Sequence, residues 1–311
     1  PKPLANPCEI RGGAATGGRM KPAPFAYHDP TTIGDALALL AQHENARPLA
    51  GGQSLVPMMN FRYATPDHLV DLNGIEALRG VAVGARIHIG AMTRQRDVEF
   101  SSELLQACPI LIEALRNVGH RQTRNRGTIG GSLCHLDPAA ETPAMMMLHD
   151  AVLTAQSADG SRELPMQEFA LGFMTSALEP QELLTQVSFD PWPQDHGWGF
   201  EEYARRHGDF AIASAGVLLT LDARGAVSRL AMVVGGLAPA PARLSEFEAQ
   251  AVGATPDDDF IKAAASAASS VEAMDDAHVS AAYRQHLASV VSARALRRAL
   301  ARARERSLAH A

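Results

Sequence analysis

The stretch Ala50-Gly-Gly-Gln-Ser-Leu-Val-Pro57 decides how this chain is interpreted, and a second stretch, Arg126-Gly-Thr-Ile-Gly-Gly-Ser132, repeats its glycine pair. The first stretch directly follows a predicted short strand. Paired glycines allow a sharp turn and let a ligand approach the backbone closely. Successive backbone N–H groups in such a turn form a concavity that binds anions such as a diphosphate. The spacing matches neither a Rossmann fingerprint nor a P-loop, so neither of those folds is predicted.

Polar side chains accompany both glycine pairs. Gln53 and Ser54 offer donors in the first stretch, whereas Thr128 and Ser132 offer hydroxyls in the second, and Glu141 follows nine residues later. A carboxylate accepts sugar hydroxyls well but repels phosphate, so it belongs near a ribose or ribityl chain. Each turn taken alone is compatible with a structural role. The two together predict a site for a nucleotide cofactor.

The composition describes a globular chain and excludes several classes of function. The 311 residues include 46 % hydrophobic, 5 % aromatic and 20 % charged residues, with a net charge of −6. An acidic balance without a basic stripe argues against nucleic-acid binding. No stretch of about 18 apolar residues predicts a membrane helix. The length predicts about two domains.

Three cysteines, Cys8, Cys108 and Cys134, lie far apart and form no CxxC or CxxH motif. That spacing argues against a zinc site or a cysteine-ligated iron–sulfur cluster in this chain. A disulfide framework is equally disfavoured, and a reducing cytoplasm is the natural location. We interpret residues 1–19 as a leader, either disordered or added for expression, because Met20 resembles a natural start.

Hydrophobic periodicity predicts an α+β chain in two parts. In the first half of the chain the pattern predicts a helix over 31–42 capped by Thr31 or Thr32, a strand over 47–50, and a short helix capped by Thr93. It also predicts a helix over 101–118 capped by Ser101, a functional loop or turn over 119–131 and a Met-rich helix over 138–148. Residues 191–199 are dense in helix breakers and predict a domain junction. Beyond this junction the pattern predicts three antiparallel strands at 200–205, 212–221 and 228–234, and then helices to residue 307.

Two other groups of residues permit alternative interpretations. His120, His135 and His149 invite a metal site, but their spacing places no chelating pair on one helix face, so hydrogen-bonded loop histidines are favoured. The arginine-rich tail is interpreted as a solvated helix whose positive end suits the helix dipole. A patch for an acidic partner subunit is the alternative for this tail. No catalytic residue and no metal ligand is predicted.

The sequence resembles the FAD-binding, or medium, subunits of molybdenum hydroxylases of the xanthine dehydrogenase and carbon monoxide dehydrogenase type. The resemblance rests on AGGQSLVPMMNFR at 50–62, TRNRGTIGGSLCHLDPAAETPA at 123–144 and EYARRHGDFAIA at 202–213. It extends from Met20 to about Arg302. It implies a PCMH-type FAD-binding domain of two α+β subdomains over 20–195. A C-terminal domain with a three-stranded antiparallel sheet and helices is then expected over 196–311.

The resemblance also implies roles for individual residues. Backbone amides of the first stretch would wrap the FAD diphosphate, namely those of Ala50, Gly51, Gly52, Gln53, Ser54 and Leu55. The second stretch would surround the diphosphate and the ribityl side of the flavin, through Thr128, Ile129, Gly130, Gly131 and Ser132. Glu141 would hold ribityl or adenosine-side hydroxyls, and Leu184 would pack on the isoalloxazine. The ring or the adenine would lie near Val118, Gly119 and Thr123.

The function implied by the resemblance is electron transfer. A large molybdopterin subunit would oxidise the substrate, and a small subunit would relay electrons through [2Fe–2S] clusters to the FAD of this chain. The whole complex would be a dimer of heterotrimers. Two alternatives remain open: a self-contained flavin oxidoreductase of the same fold, and a non-enzymatic nucleotide-binding module.

Overall fold

The computed structural model describes residues 21–309, and it begins with a small α/β subdomain. Three parallel strands form its sheet in the order β1-β3-β2, with bounds Ala26–His28 (β1), Ala46–Leu49 (β2) and His68–Asp71 (β3). Helix α1 (Ile33–Gln42) begins where Thr32 accepts a hydrogen bond from the N–H of Asp35, as the sequence predicts. Helix α2 (Leu55–Asn60) follows the first glycine pair.

The second subdomain is built on a five-stranded antiparallel sheet. Its spatial order is β4-β5-β10-β6-β7, so the last strand lies at the centre of the sheet. A two-stranded hairpin of β8 and β9 stands beside it. The bounds are Val81–Val83 (β4), Ile87–Gly90 (β5), Val152–Ser157 (β6), Gly160–Pro165 (β7), Ala170–Gly172 (β8), Thr175–Ser176 (β9) and Leu183–Phe189 (β10).

Short helices cover this second sheet. Their bounds are Gln95–Glu99 (α3), Ser102–Ala107 (α4), Pro109–Leu115 (α5), Arg121–Arg126 (α6), Ile129–His135 (α7), Glu141–Leu148 (α8) and Met166–Phe169 (α9). The predicted helix over 101–118 is divided into α4 and α5. Proline cannot donate the helical hydrogen bond and disfavours helical backbone in the preceding residue. Pro109 accordingly ends α4, whose predicted cap at Ser101 is confirmed.

Three further local predictions differ from the structure. Residues 119–131 are mostly helical, because α6 and the start of α7 lie there. Helix α8 starts at Glu141 and not at Pro138. Thr93 does not cap α3; its hydroxyl bonds instead to the backbone of Gly80.

The C-terminal part contains the three long antiparallel strands that the sequence predicts, with a two-residue strand added at the edge. Their bounds are Gly197–Tyr203 (β11), Ala213–Leu221 (β12), Val227–Gly235 (β13) and Ala242–Arg243 (β14). Three helices pack with this sheet: Ser245–Ala251 (α10), Asp258–Ser269 (α11) and Ala281–Ala309 (α12). A Cβ at Gly197 would lie 1.9 Å from the carbonyl oxygen of Ala299, so α12 contacts the sheet directly.

The C-terminal sheet buries both of its faces. One face packs on α12, which α11 covers in turn, and the other shares a core with α5 and α8 of the second subdomain. Phe200 and Leu218 therefore lie in the same core cluster as Leu111 and Met145. The domain boundary predicted between residues 195 and 196 stays a prediction. The residues on its two sides, in the second subdomain and in the C-terminal part, share one core. The predicted leader over 1–19 lies outside the described residues.

Two arginines of α12 connect this helix to the second subdomain. Arg298 and Arg302 both bind the carboxylate of Glu113 on α5, at 2.7 and 2.8 Å, and Arg302 also covers the ring of Trp198. The prediction of a purely solvated tail is therefore wrong for these two residues. Within residues 21–309, no helix has the length and apolarity needed to cross a membrane.

Candidate functional site

The two glycine stretches meet in a cleft of about 750 Å³. This volume lies within the roughly 300–1,000 Å³ that is typical of small-molecule sites. Of the predicted cofactor residues, all but one line this cleft: Ala50, Gly51, Gly52, Gln53, Ser54, Leu55, Val118, Gly119, Thr123, Thr128, Gly130, Gly131, Ser132, Glu141 and Leu184. The exception is Ile129, which is fully buried in the core.

The first glycine stretch leaves its backbone donors free. It links the end of β2 to the start of α2, and Gly52 adopts a φ of +72°, which glycine reaches without the steric cost of a Cβ. Within the described residues, no acceptor faces the N–H groups of residues 51–54. The hydroxyl of Ser54 makes no capping bond either. A row of unpaired N–H groups at a cleft is an anion-binding nest.

The second glycine stretch uses its donors internally. The N–H of Ile129 donates to Thr93 and that of Gly130 to Ala91, at 3.0 and 2.8 Å. The N–H of Gly131 donates to the Thr128 hydroxyl at 3.0 Å. A Cβ at Gly130 would lie 2.6 Å from the Ala91 Cβ, so this glycine permits close packing of α7 on the sheet. The second stretch therefore shapes the cleft and presents the hydroxyl of Ser132.

Direct contacts hold the two stretches against each other. A Cβ at Gly51 would lie only 2.2 Å from the carbonyl oxygen of Arg126, so this position requires glycine. The guanidinium of Arg94 donates both to the Arg126 carbonyl and to the Asn73 side chain. Asn73 in turn donates to the carbonyl of Ala50 at 3.0 Å. This chain of bonds fixes the width of the cleft between the stretches.

A buried ion pair supports the segment at 118–119. Arg124 bonds Glu99 at 2.7 Å, and both side chains are about one-tenth exposed. The same guanidinium donates to the carbonyl of Val118 at 2.9 Å. Gly119 adopts a φ of +47°, which turns the chain along the cleft wall. The Arg124–Glu99 pair thus holds Val118 and Gly119 in place at the cleft wall.

An acidic pair joins the cleft to the C-terminal sheet. Glu141 begins α8 and is 6 % exposed, and its carboxyl bonds that of Glu202 on β11. Burial, followed by the Glu202 charge, raises the pKa of Glu141 to about 8, and burial raises that of Glu202 to about 7. The buried Oε2 of Glu202 meets no other donor among the described residues. Burial of both carboxyls side by side therefore favours retention of a proton by the pair.

The far wall combines an apolar side chain with a loop of the C-terminal part. Leu184 lies at an irregularity of β10 and is 4 % exposed. Gly208, Asp209 and Phe210 also line the cleft, and Phe210 is 68 % exposed. The motif at 202–213 contains these three residues, so it was the signal that could have identified them. The sequence favours a structural ion pair or a turn cap for Asp209, which follows Arg205 and Arg206. Among the described residues Asp209 forms no ion pair, and its N–H donates to the carbonyl of Arg206 at 3.1 Å.

Cys134 also lines the cleft, but its chemistry is inert. Burial raises the pKa of its thiol to about 12, so no thiolate forms near neutral pH. His149, which the sequence places in a loop, ends α8 in the core and contacts the sulfur of Cys108 at 3.2 Å. Its burial lowers the pKa to about 3. Neither residue has the properties of an acid–base catalyst.

The chain matches two family profiles that cover the fold described above. Residues 23–192 match the FAD binding domain in molybdopterin dehydrogenase, and residues 198–299 match the CO dehydrogenase flavoprotein C-terminal domain. The chain is 40 % identical to the 6-hydroxypseudooxynicotine dehydrogenase complex subunit alpha of Paenarthrobacter nicotinovorans, over 92 % of this chain and 97 % of that relative. It is 36 % identical to the carbon monoxide dehydrogenase medium chain of Hydrogenophaga pseudoflava, over 91 % and 99 %.

Solved structures agree with these sequence matches. The carbon monoxide dehydrogenase of Hydrogenophaga pseudoflava, in a form lacking the Mo-pyranopterin moiety of the molybdenum cofactor, superposes with a TM-score of 0.87. The match is 36 % identical and covers 90 % of this chain and 99 % of that one. Quinoline 2-oxidoreductase from Pseudomonas putida 86 also gives a TM-score of 0.87, at 31 % identity over 91 % and 99 %.

The fold and the cleft define an FAD-binding oxidoreductase subunit of two α+β subdomains with a C-terminal sheet-and-helix part. The chain belongs to the family of FAD-binding medium subunits of molybdenum hydroxylases, which includes the medium chains of carbon monoxide dehydrogenase. The predicted fold class and family are thereby confirmed.

Proposed function

We propose that this chain carries FAD as the electron-transfer subunit of a heteromeric molybdenum hydroxylase. Its electrons would come from [2Fe–2S] clusters of a small partner subunit and leave to an external acceptor. A large molybdopterin subunit would complete the complex, as a dimer of heterotrimers in the cytoplasm. We assign residues 20–195 to FAD binding and residues 196–311 to the C-terminal domain. The single observation that carries the proposal is the cleft between the two glycine stretches.

The free N–H groups of residues 51–54 are the proposed diphosphate site. Unpaired donors that face a cleft are costly unless water or a ligand satisfies them. A diphosphate supplies several charged acceptors at once, and charge-assisted hydrogen bonds are about twice as strong as neutral ones. Arg47 lines the same cleft and adds a positive charge. The hydroxyls of Ser54 and Ser132 extend the donor set.

The acidic pair is the proposed site for sugar hydroxyls. One shared proton leaves Glu141 and Glu202 with a single negative charge between them. Their remaining lone pairs accept hydrogen bonds from ribityl or adenosine hydroxyls. Asp137 adds negative charge nearby and lines the cleft, which disfavours phosphate at this end. The donor-rich first stretch and this acidic end therefore support a defined direction for the bound cofactor.

Apolar residues are the proposed contacts of the flavin ring and of a partner. Leu184 offers an aliphatic surface for the isoalloxazine, as the family resemblance implies. Tyr63, Met174 and Phe210 line the cleft and are 82 %, 40 % and 68 % exposed. Exposed apolar side chains around a site are typical of a surface that another protein covers. These residues support docking of a partner subunit over the cleft.

Flavin chemistry supplies the step that converts single electrons into a two-electron transfer. The chain's own residues bind and orient the cofactor and exclude water from it. Cys134 and His149 remain neutral at physiological pH, so neither competes as a nucleophile or base.

The first experiment is a visible spectrum of the purified chain, followed by heat release of any cofactor and phosphodiesterase treatment. We expect FAD at close to one equivalent per chain. A chain that takes up no flavin in excess FAD would contradict the cofactor assignment and favour a non-enzymatic module.

The second experiment tests electron transfer. The FAD-loaded chain is mixed anaerobically with separately purified large and small subunits and the substrate of their complex. We expect the flavin absorbance to bleach only when all subunits are present, with the FAD-free chain as the control. Substrate turnover by this chain alone would instead support a self-contained flavin oxidoreductase.

A further inference from the structure

Three histidines from separate segments of the N-terminal subdomain come together at one edge of its sheet. His28 ends β1, His43 follows the last turn of α1, and His68 begins β3. Each offers a ring nitrogen, and these nitrogens all lie within 4.8 Å of one another. No other group of three or more histidine, cysteine or carboxylate ligands in residues 21–309 is arranged in this way. None of the three histidines lines the flavin cleft.

The sheet register explains why these residues meet. Strand β1 runs parallel to β3, and Ala26 pairs with His68. His28 is two residues further along β1, so its side chain emerges on the same face as that of His68. Helix α1 covers this face through Leu37 and Leu40, which pack in one core with Val70, and it ends beside the two rings. His43, at the C-terminal cap of α1, completes the group.

The three rings are already in contact. The Nε2 of His28 lies 3.0 Å from the Nδ1 of His68, and the rings of His43 and His68 stack with centroids 3.9 Å apart. A hydrogen bond between two imidazoles requires one nitrogen to be protonated and the other to have a lone pair. Transfer of that proton to the other nitrogen of its own ring frees both lone pairs without a change in charge. All three side chains are half-buried.

The surroundings favour a cation. Helix α1 presents its negative dipole end, with unpaired carbonyl groups, at this point, and no basic residue occupies its last turn. The carboxylate of Asp29 lies close enough to act on His28. The ligand group contains only imidazoles. Three neutral imidazoles are the ligand type that suits Zn²⁺, Cu²⁺ and Ni²⁺.

We propose that His28, His43 and His68 form a divalent transition-metal site, with Zn²⁺ as its ion, bound through three imidazole nitrogens and a water molecule. Three protein ligands with an open fourth position are a known geometry for zinc. The ion would fasten the short strand β1 to the end of α1 and to β3. The site is independent of FAD binding, because it lies outside the cleft.

Metal titration of the full-length chain without an added histidine tag tests this site. The chain is stripped with a chelator, and Zn²⁺ binding is followed by calorimetry and Co²⁺ binding by visible absorption. We expect one equivalent of either ion and a tetrahedral cobalt spectrum without a thiolate charge-transfer band. Binding should weaken at acidic pH, because protons compete with the ion for the imidazole nitrogens.

Single substitutions identify the ligands. His28→Asn, His43→Asn and His68→Asn should each weaken binding by more than about tenfold, since loss of even an outer-shell partner costs 10–100-fold. His286→Asn is the matched control, because His286 is an exposed histidine on α12 far from this group. FAD content reports on folding, and His43→Asn, in a turn, is the variant least able to disturb the sheet. Failure to bind a stoichiometric ion, a cobalt–thiolate band, or equal binding by all four variants would overturn the proposal.

Discussion

The two glycine stretches have nearly the same sequence signature but different physical properties. In the first, the N–H groups of residues 51–54 face the cleft without an acceptor. In the second, the N–H groups of residues 129–131 are all bonded within the protein, and Gly130 packs on Ala91. A glycine pair can thus provide either free donors or close packing. The difference teaches that only the hydrogen-bond partners distinguish a ligand-binding turn from a packing contact.

The largest effect is expected from Gly130→Val. Its side chain would meet the Ala91 backbone and Cβ at 2.6–2.9 Å, where nothing flexible can move away. Overpacking of this severity costs about 3 kcal/mol or more in unfolding free energy. The urea midpoint should fall sharply or the soluble protein should be lost. A variant with normal stability that merely lost FAD would show that the second stretch is a ligand site of the same kind as the first.

A smaller and more specific effect is expected from Gly52→Ala. The positive φ of Gly52 orients the free N–H groups, and a Cβ there costs about 1–2 kcal/mol in stability. Gly225→Ala is the matched control, because Gly225 has a φ of +79° in the β12–β13 turn, away from the cleft. Both variants should lose similar stability, measured by urea unfolding. Only Gly52→Ala should weaken FAD binding, by more than about tenfold, since several donor bonds of about 1 kcal/mol each are misaligned.

The outcome that would contradict this contrast is equal FAD affinity in the two variants. Both FAD dissociation constants would be measured by fluorescence quenching of the stripped chains. Equal weakening would attribute the loss to general destabilisation, and no weakening would remove the first stretch from the diphosphate site.

The acidic pair beyond the second stretch predicts a pH dependence. The pKa of Glu141 rises from its ordinary value of 4.5 to about 8 in the folded chain, because of burial and then Glu202. The folded chain therefore holds a proton that the unfolded chain releases between these pH values, and stability falls as the pH rises from about 4.5 to 8. Glu141→Gln removes this penalty, so its melting temperature relative to the native chain should rise between pH 5 and pH 9. The exposed Glu163→Gln control should show no such trend.

If the melting temperatures of Glu141→Gln and Glu163→Gln, each relative to that of the native chain, rose equally between pH 5 and pH 9, the proposal of a buried shared proton would be contradicted. A relative melting temperature of Glu141→Gln that falls with pH would indicate an ionised, paired Glu141 at neutral pH. Both variants would be measured by calorimetry in the same buffers, without FAD.

The smallest effects are expected from the two cleft hydroxyls. Neither Ser54 nor Ser132 has a side-chain partner among the described residues, so each is available to the cofactor. A neutral hydrogen bond contributes about 1 kcal/mol, so Ser54→Ala and Ser132→Ala should each weaken FAD binding by roughly fivefold. Titration of the stripped chains measures both. If either serine variant lost more FAD affinity than Gly52→Ala, the main contribution to FAD binding would come from a hydroxyl and not from the backbone N–H groups.

Much of the fold could be predicted from the sequence because its signals are local. Thr32 and Ser101 cap helices through bonds to residues three positions away, and both caps are present. The three long C-terminal strands and their turn also match, since each depends on a short run of residues. Pro109 is an equally local signal, and it divides the single helix predicted over 101–118 into α4 and α5.

The candidate site could be predicted less completely, because its parts come from distant segments. Gly208 to Phe210 reach the cleft from the C-terminal part, and no property of that loop alone shows where it packs. The arginines of α12 present the same difficulty, since Glu113 is more than 180 residues from Arg298. A charged helix end resembles a solvated one until the tertiary structure supplies its partners.

The sequence by itself determined the caps at Thr32 and Ser101 and the three long C-terminal strands, and it predicted a nucleotide site at two glycine pairs and a carboxylate. These properties follow from backbone dihedrals and periodicity over a few residues. The tertiary structure alone decided which N–H groups remain free, that Glu141 lies buried against Glu202, and that three histidines meet. Each of these depends on strand register and packing between distant segments. The unpaired donors beside Gly52 are visible only when every other acceptor has been placed.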